Sequence, residues 1–211
     1  MQRVLLFDYD GVIVDSFEAV CESFLEACQA HGFTQLRGRQ DFLRLLDANL
    51  YEGLMAAGLP GSAVVPILKT MDARQAVRRR YTFFHGMPDV LARLAQEHVL
   101  FIVTSNHSTI VADFLSRHGM HCFRDILGAD TERSKARKIQ QVMARYPGQQ
   151  CYYIGDTKGD MLEGAQAGAH TVAVAWGWHA LAHLATAQPT HLVHSPAELL
   201  RLFILDVADR H

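Results

Sequence analysis

The sequence predicts an α/β protein, a doubly wound parallel sheet with a small all-helical cap domain inserted after the first strand, and three observations carry that expectation. Short, nearly continuous apolar runs at residues 4–7, 99–103, 151–154 and 171–176 are bounded by glycine or polar residues. Such runs suit strands buried on both faces of a parallel sheet. Amphipathic segments of helix length lie between them, at about residues 88–97, 108–118, 135–145 and 159–167, as crossover helices would. The alternation fails between about residues 16 and 85, where 17–31, 40–57 and 63–84 all read as helical and no convincing strand occurs. The expected division is therefore a core of residues 1–15 and 86–211 and a cap of residues 16–85.

Within the insert, Gly58-Leu59-Pro60-Gly61 reads as a turn. Near the end, Ser195-Pro196-Ala197-Glu198 has the signature of a capping box with proline at the first helical position, so a last helix starts there. With 211 residues, 49% of them apolar, the chain can bury a full-sized core. Twenty Lys plus Arg against 22 Asp plus Glu give a net charge of −2, so no overall field draws in nucleic acid or an anionic membrane. The most basic run, Arg78-Arg79-Arg80, reads as a solvated helix face rather than a phosphate contact. Cys21, Cys28, Cys122 and Cys151 lack CxxC spacing, which suggests neither zinc nor a disulfide framework. The opening residues run too quickly into acidic ones for a signal peptide core, and no stretch reaches membrane-spanning length; a soluble cytoplasmic protein is the expectation.

The chemistry concentrates at strand ends. Residues 4–7 hand over abruptly to Asp8-Tyr9-Asp10-Gly11, and ligands of open α/β sheets bind outside the carboxyl ends of strands. Two carboxylates one residue apart can divide labour, one attacking and the other moving protons, where Gly11 lets the backbone leave the extended state. The plainer reading is an acidic turn. It weakens because two more strands end in the same manner, one in Thr104-Ser105-Asn106 and one in Gly155-Asp156-Thr157-Lys158-Gly159-Asp160. The Ser105 hydroxyl can hold a phosphoryl oxygen while also capping the helix that follows, and Asp156 can offer oxygen to a hard cation. Lys135, at a helix start, is the best placed ammonium for neutralising phosphate charge. Lys138 and Lys158 read as surface lysines.

The ordered set Asp8-x-Asp10-Gly11, Thr104-Ser105-Asn106, Lys135 and Gly155-Asp156-x-x-x-Asp160 resembles the four motifs of the haloacid dehalogenase superfamily, across nearly the whole chain. The segment 175–179 and residues 189–200 look like the closing strand, loop and last helix of its phosphoglycolate-phosphatase-like members. The insert sits where that subgroup carries its helical cap on a Rossmann-like core. The resemblance implies Asp8 as the nucleophile that becomes an aspartyl-phosphate, and Asp10 as general acid and base whose main-chain carbonyl also binds magnesium. It implies Ser105, with Asn106 beside it, and Lys135 as the phosphate-binding groups. Mg²⁺ would be held by Asp8, Asp10 and Asp156, with Asp160 supporting the metal's waters or orienting the lysine. Tyr9 replaces the more usual Phe or Leu, and Lys135-Ala136 the common Lys-Pro pair.

A Mg²⁺-dependent phosphatase acting on a small phosphorylated metabolite, phosphoglycolate-like or a sugar phosphate, is the activity so implied, with neither nucleic acid nor membrane as partner. Asp10 argues against the metal-free dehalogenases of the superfamily, and intact motifs argue against a binding module without turnover. A β-phosphoglucomutase-like mutase shares every core residue. Substrate choice falls to the cap, with Arg37, Arg39, Arg44, Asn49 and Tyr51 as candidates, although surface solvation is the more ordinary role for each.

Overall fold

A computed structural model describes residues 1–73 and 81–204; the run Arg78-Arg79-Arg80 lies outside them, as do residues 74–80 of the last helix expected in the insert. Six strands form one parallel sheet: β1 (Val4–Phe7), β4 (Val99–Val103), β5 (Phe123–Leu127), β6 (Cys151–Gly155), β7 (His170–Val174) and β8 (His191–Val193), in the order β5-β4-β1-β6-β7-β8. β1 lies in the interior of the sheet, with Val4 in register with Val99 on one side and Cys151 on the other. All four of its side chains are fully buried.

Because successive strand residues point to opposite faces, the continuous apolar runs divide into two cores. Leu5, Phe7, Leu100, Ile102, Tyr152 and Ile154 face one way, packing with α5 (Met87–Leu94), α6 (Ser108–Arg117) and α10 (Pro196–Ile204) through Leu91, Phe114 and Phe203. Val4, Leu6, Phe101, Val103, Cys151 and Tyr153 face the other way, toward Ile139 and Val142 of α7 (Lys135–Arg145) and Ala167 of α8 (Lys158–Ala167). Helices on both faces of a parallel sheet make the fold a Rossmann-like α/β core.

Helices α1 (Phe17–Ala30), α2 (Arg39–Leu45), α3 (Leu50–Ala56) and α4 (Gly61–Ala73) share a separate core built on Phe24, Phe42, Leu54 and Ile67. Three expectations need correcting here. The single helix expected over 40–57 is two, because Asn49 accepts a bond from the Tyr51 amide and caps a new helix. The stretch read as strandless holds β3 (Thr82–Phe83), which pairs antiparallel with β2 (Val14–Asp15) where the chain leaves and re-enters the core. Two-residue strands are too short to show a period. The sheet also has strands that the apolar runs did not mark: β5 is an edge strand with Arg124 and Asp125 exposed, and edge charges of this kind blunt unwanted pairing. Another short helix, α9 (Leu181–Ala185), follows β7. At α10, Ser195 Oγ accepts from the Glu198 amide at 3.2 Å and Glu198 accepts from the His194 amide, one residue earlier than a strict capping box requires.

Candidate active site

Asp8 follows β1 directly and lies 6% exposed on the floor of a cleft between the sheet and the helical insert. The chain then turns sharply, with the Ile13 and Val14 amides both donating to the Tyr9 carbonyl and Gly11 in the left-handed region at φ +78°. Gly11 is required there twice over, because a Cβ on it would fall 2.1 Å from Asp156 Oδ2. Gly177 presses on Asp156 from the other side, where a Cβ would fall 2.2 Å from the aspartate's own Cβ. Asp156 is thereby held in a slot between two backbones.

Lys135, at the first position of α7, places Nζ 2.6 Å from Asp8 Oδ2 and 2.6 Å from Asp160 Oδ1. Asp160 also accepts from the Tyr153 hydroxyl at 2.9 Å and, through Oδ2, from the Thr157 amide and hydroxyl, closing the capping box of α8. Asp8 Oδ1 accepts from the Tyr9 amide at 2.8 Å. The Asp10 carboxylate turns away from this cluster and accepts from Ser16 Oγ at 2.7 Å and Asn106 Nδ2 at 3.3 Å. Ser105 is half-buried and lines the same cleft.

The electrostatics follow from crowding in a dry site. Burial pushes the Asp8 carboxyl up to about 7 against the pull of the Lys135 ammonium. It drives Asp156 well above the carboxylate range, reinforced by the charges of Asp160 and Asp8. Asp10 is raised by burial, with Ser16 and Asn106 opposing. Burial would raise Asp160 too, but the adjoining ammonium and the hydrogen bonds it accepts hold it below its ordinary value. Lys135 loses by burial and gains more from Asp160 and Asp8, so it stays firmly charged. One ammonium thus faces three buried carboxylates, Asp8, Asp156 and Asp160, whose ligand oxygens lie within 4.8 Å of one another. Asp156 Oδ2 accepts from the Trp178 amide at 2.7 Å, while its buried Oδ1 has no protein partner. Surplus carboxylate charge and an unpartnered carboxylate oxygen fit a hard divalent cation. Asp10's side chain is not among the clustered oxygens.

A second group, Asp47, His179 and His183, does not fit a metal in the same way. His179 uses both ring nitrogens, Nδ1 at 3.0 Å from the Lys158 amide and Nε2 at 3.0 Å from the Leu43 carbonyl, and His183 pairs with Asp47. These contacts hold the insert on the core.

Several residues play parts that the sequence did not announce. Lys138, expected at the surface, is fully buried and donates to the Thr104 carbonyl at 2.6 Å, and burial lowers its ammonium to about 8. Its three-residue offset from Lys135 turns it inward along the same helix face. Glu163 is 8% exposed and accepts from the Lys135 amide and from Asn49. The candidate cap arginines pair locally on the surface: Arg39 with Glu18 and over the Phe17 ring, Arg44 with Asp41, and Arg37 with the Thr34 carbonyl. Tyr51 lies under the Arg133 guanidinium, 5.0 Å from centroid to carbon. Phe24, Phe42, Leu46 and Leu50 line the insert's side of the cleft, with Trp178 packed on Phe17 and Phe42.

A Rossmann-like sheet with aspartates at adjoining strand ends, joined there by an aspartate and a buried lysine from two helix starts and roofed by helices, defines a class of hydrolytic α/β enzymes. A model of the haloacid dehalogenase-like hydrolase family matches residues 5–174, and the chain belongs to that family. It is 28% identical over 208 residues to a phosphoglycolate phosphatase of Synechococcus elongatus, covering 94% of this chain and 96% of that one. A phosphoglycolate phosphatase of Vibrio cholerae is 24% identical over 222 residues, with 96% and 97% covered. Among solved structures, a haloacid dehalogenase-like hydrolase from Streptococcus pneumoniae superposes with a TM-score of 0.79 at 26% identity, over 96% of this chain and 98% of that one. A predicted phosphatase from Clostridium acetobutylicum shares the fold with a TM-score of 0.84 at 18% identity, over 98% and 99%. Among the described residues, no helix is long and apolar enough to cross a membrane.

Proposed function

We propose that this chain is a Mg²⁺-dependent phosphatase that hydrolyses a small phosphorylated metabolite through a phosphoryl intermediate on Asp8. The observation that carries the reading is the setting of Asp8, bonded to the Lys135 ammonium and clustered with Asp156, which keeps an unpartnered oxygen, on the floor of a cleft. Phosphatases among the full-length relatives support it. In this reading residues 16–85 are the cap and residues 1–15 and 86–211 the core, and the four free cysteines suit the reducing cytoplasm.

Asp8 attacks phosphorus, the bond to the leaving oxygen breaks, and Asp10 delivers a proton to that oxygen. Asp10, now a carboxylate, takes a proton from water as the water attacks phosphorus, releasing inorganic phosphate and restoring Asp8. Ser16 and Asn106 hold the Asp10 side chain for both transfers. Ser105 and Asn106 bind phosphoryl oxygens, and Lys135 offsets the repulsion between the attacking carboxylate and the phosphate. Mg²⁺, held by Asp8, Asp156 and the Asp10 carbonyl with Asp160 behind, would supply the remaining counter-charge.

The test is a screen of phosphorylated metabolites, 2-phosphoglycolate and sugar phosphates among them, scored for released phosphate with and without Mg²⁺. Release should require the metal, and Asp156→Ala should raise the metal concentration needed steeply or remove activity. Full activity in excess chelator would overturn the metal assignment. Inorganic phosphate should also appear as fast as substrate disappears. If β-glucose 1-phosphate yields an isomer faster than phosphate, the protein is a mutase with the same core chemistry.

A further inference from the structure

α7 begins at Lys135, so the amides of its first turn lack partners within the helix. Ser134 Oγ takes the Arg137 amide, while Glu163 Oε1, from the neighbouring α8, takes the Lys135 amide at 2.9 Å and the Ala136 amide at 3.4 Å. A proline at position 136 would offer no such amide. The same oxygen receives a third donor from the insert, Asn49 Nδ2 at 3.0 Å. Asn49 is held for this task, since its Oδ1 accepts from Tyr51 and fixes which way the amide faces. The segment carrying it seats tightly: the Gly159 amide donates to the Leu46 carbonyl, and a Cβ on Gly159 would fall 2.4 Å from the Ala48 carbonyl oxygen.

We propose that Glu163 is a positioning residue that transmits docking of residues 46–49 on the core to the backbone of Lys135, and so to the ammonium that faces Asp8. The inference rests on the phosphatase reading for its catalytic consequence, and on geometry alone for its mechanical one. With the cap docked, three donors converge on one carboxylate oxygen and the start of α7 is fixed. With the cap lifted, Asn49 leaves, water reaches Glu163, and the lysine's anchor loosens. Cap closure and charge neutralisation are thereby one event.

Asn49→Asp keeps an acceptor for the Tyr51 amide but sets an oxygen against Glu163, so it separates loss of the link from loss of the helix cap. In the full-length protein, hydrogen exchange followed by NMR should show the Lys135 and Ala136 amides exchanging about tenfold faster in Asn49→Asp and Asn49→Ala. With p-nitrophenyl phosphate and Mg²⁺, both variants should lose about tenfold in kcat with KM within about twofold, as loss of a supporting contact behind a reacting group does. Glu163→Ala should lose at least as much, Glu163→Gln less, and Asn49→Ala/Glu163→Ala no more than Glu163→Ala alone. Unchanged amide exchange in both Asn49 variants would overturn the proposal, as would losses that multiply or fall only on KM. If the amides respond while the parent protein releases no phosphate from any ester, the mechanical link stands and the phosphatase reading falls.

Discussion

Asp8→Asn should reduce turnover by about 10³-fold or more while the protein stays folded, because an amide of nearly the same shape is a poor nucleophile. The fold should feel the change mildly. Asp8 accepts the Tyr9 amide on one oxygen and the Lys135 ammonium on the other, and asparagine keeps one acceptor, leaving one donor facing an NH₂ at a cost of about 1–3 kcal/mol. Single-turnover assays on protein whose thermal unfolding has been checked will decide it, and near-parental activity would remove Asp8 from the role of nucleophile. The parent, unlike the variant, should be inhibited by beryllofluoride in a Mg²⁺-dependent manner.

Lys135→Met should damage both stability and activity. The substitution keeps much of the volume but strips the ammonium from between Asp8 and Asp160, two carboxylates that are nearly inaccessible to solvent. Removing one partner of a buried ionic cluster costs about 3–5 kcal/mol. The sign of its pH dependence follows from linkage. Without the ammonium the two carboxyls bind protons more tightly in the folded chain than in the unfolded one, so the folded state gains stability at low pH and loses it as pH rises. Denaturant titrations should therefore show a smaller deficit relative to the parent at pH 5 than at pH 8. A deficit independent of pH would mean that Lys135 serves packing rather than charge.

Much of the site was legible because its residues sit where apolar runs stop. β1, β4 and β6 are buried on both faces, so their sequences are unbroken and their ends conspicuous, and Asp8, Ser105 and Asp156 occupy those ends. What escaped notice lacks a local signature. β5 carries its charges outward at an edge, and β2 and β3 have two residues each. Glu163 looks like any acidic residue on a helix, since its partners are 27, 28 and 114 positions away. Lys138 resembled a solvated lysine because nothing nearby in sequence reports that Thr104 waits above it. Arg39 and Arg44 took the more ordinary of the two roles open to them, pairing with surface carboxylates.

The place of β1 inside the sheet has a consequence for how the chain is made. In order of synthesis its four apolar residues precede both of their neighbours, since Val4 pairs with Val99 and with Cys151. During translation the helices of the insert can collapse on their own core built around Phe24, Phe42 and Leu54, because their contacts are comparatively local. β1 cannot. It must wait, unpaired and sticky, until residues 99–155 have left the ribosome, and such late, distant pairing is slow and prone to aggregation. The segment that leads into the first aspartate is thus made before both of its partners and secured only after them, and conditions that slow elongation through residues 99–155 should lengthen its exposure.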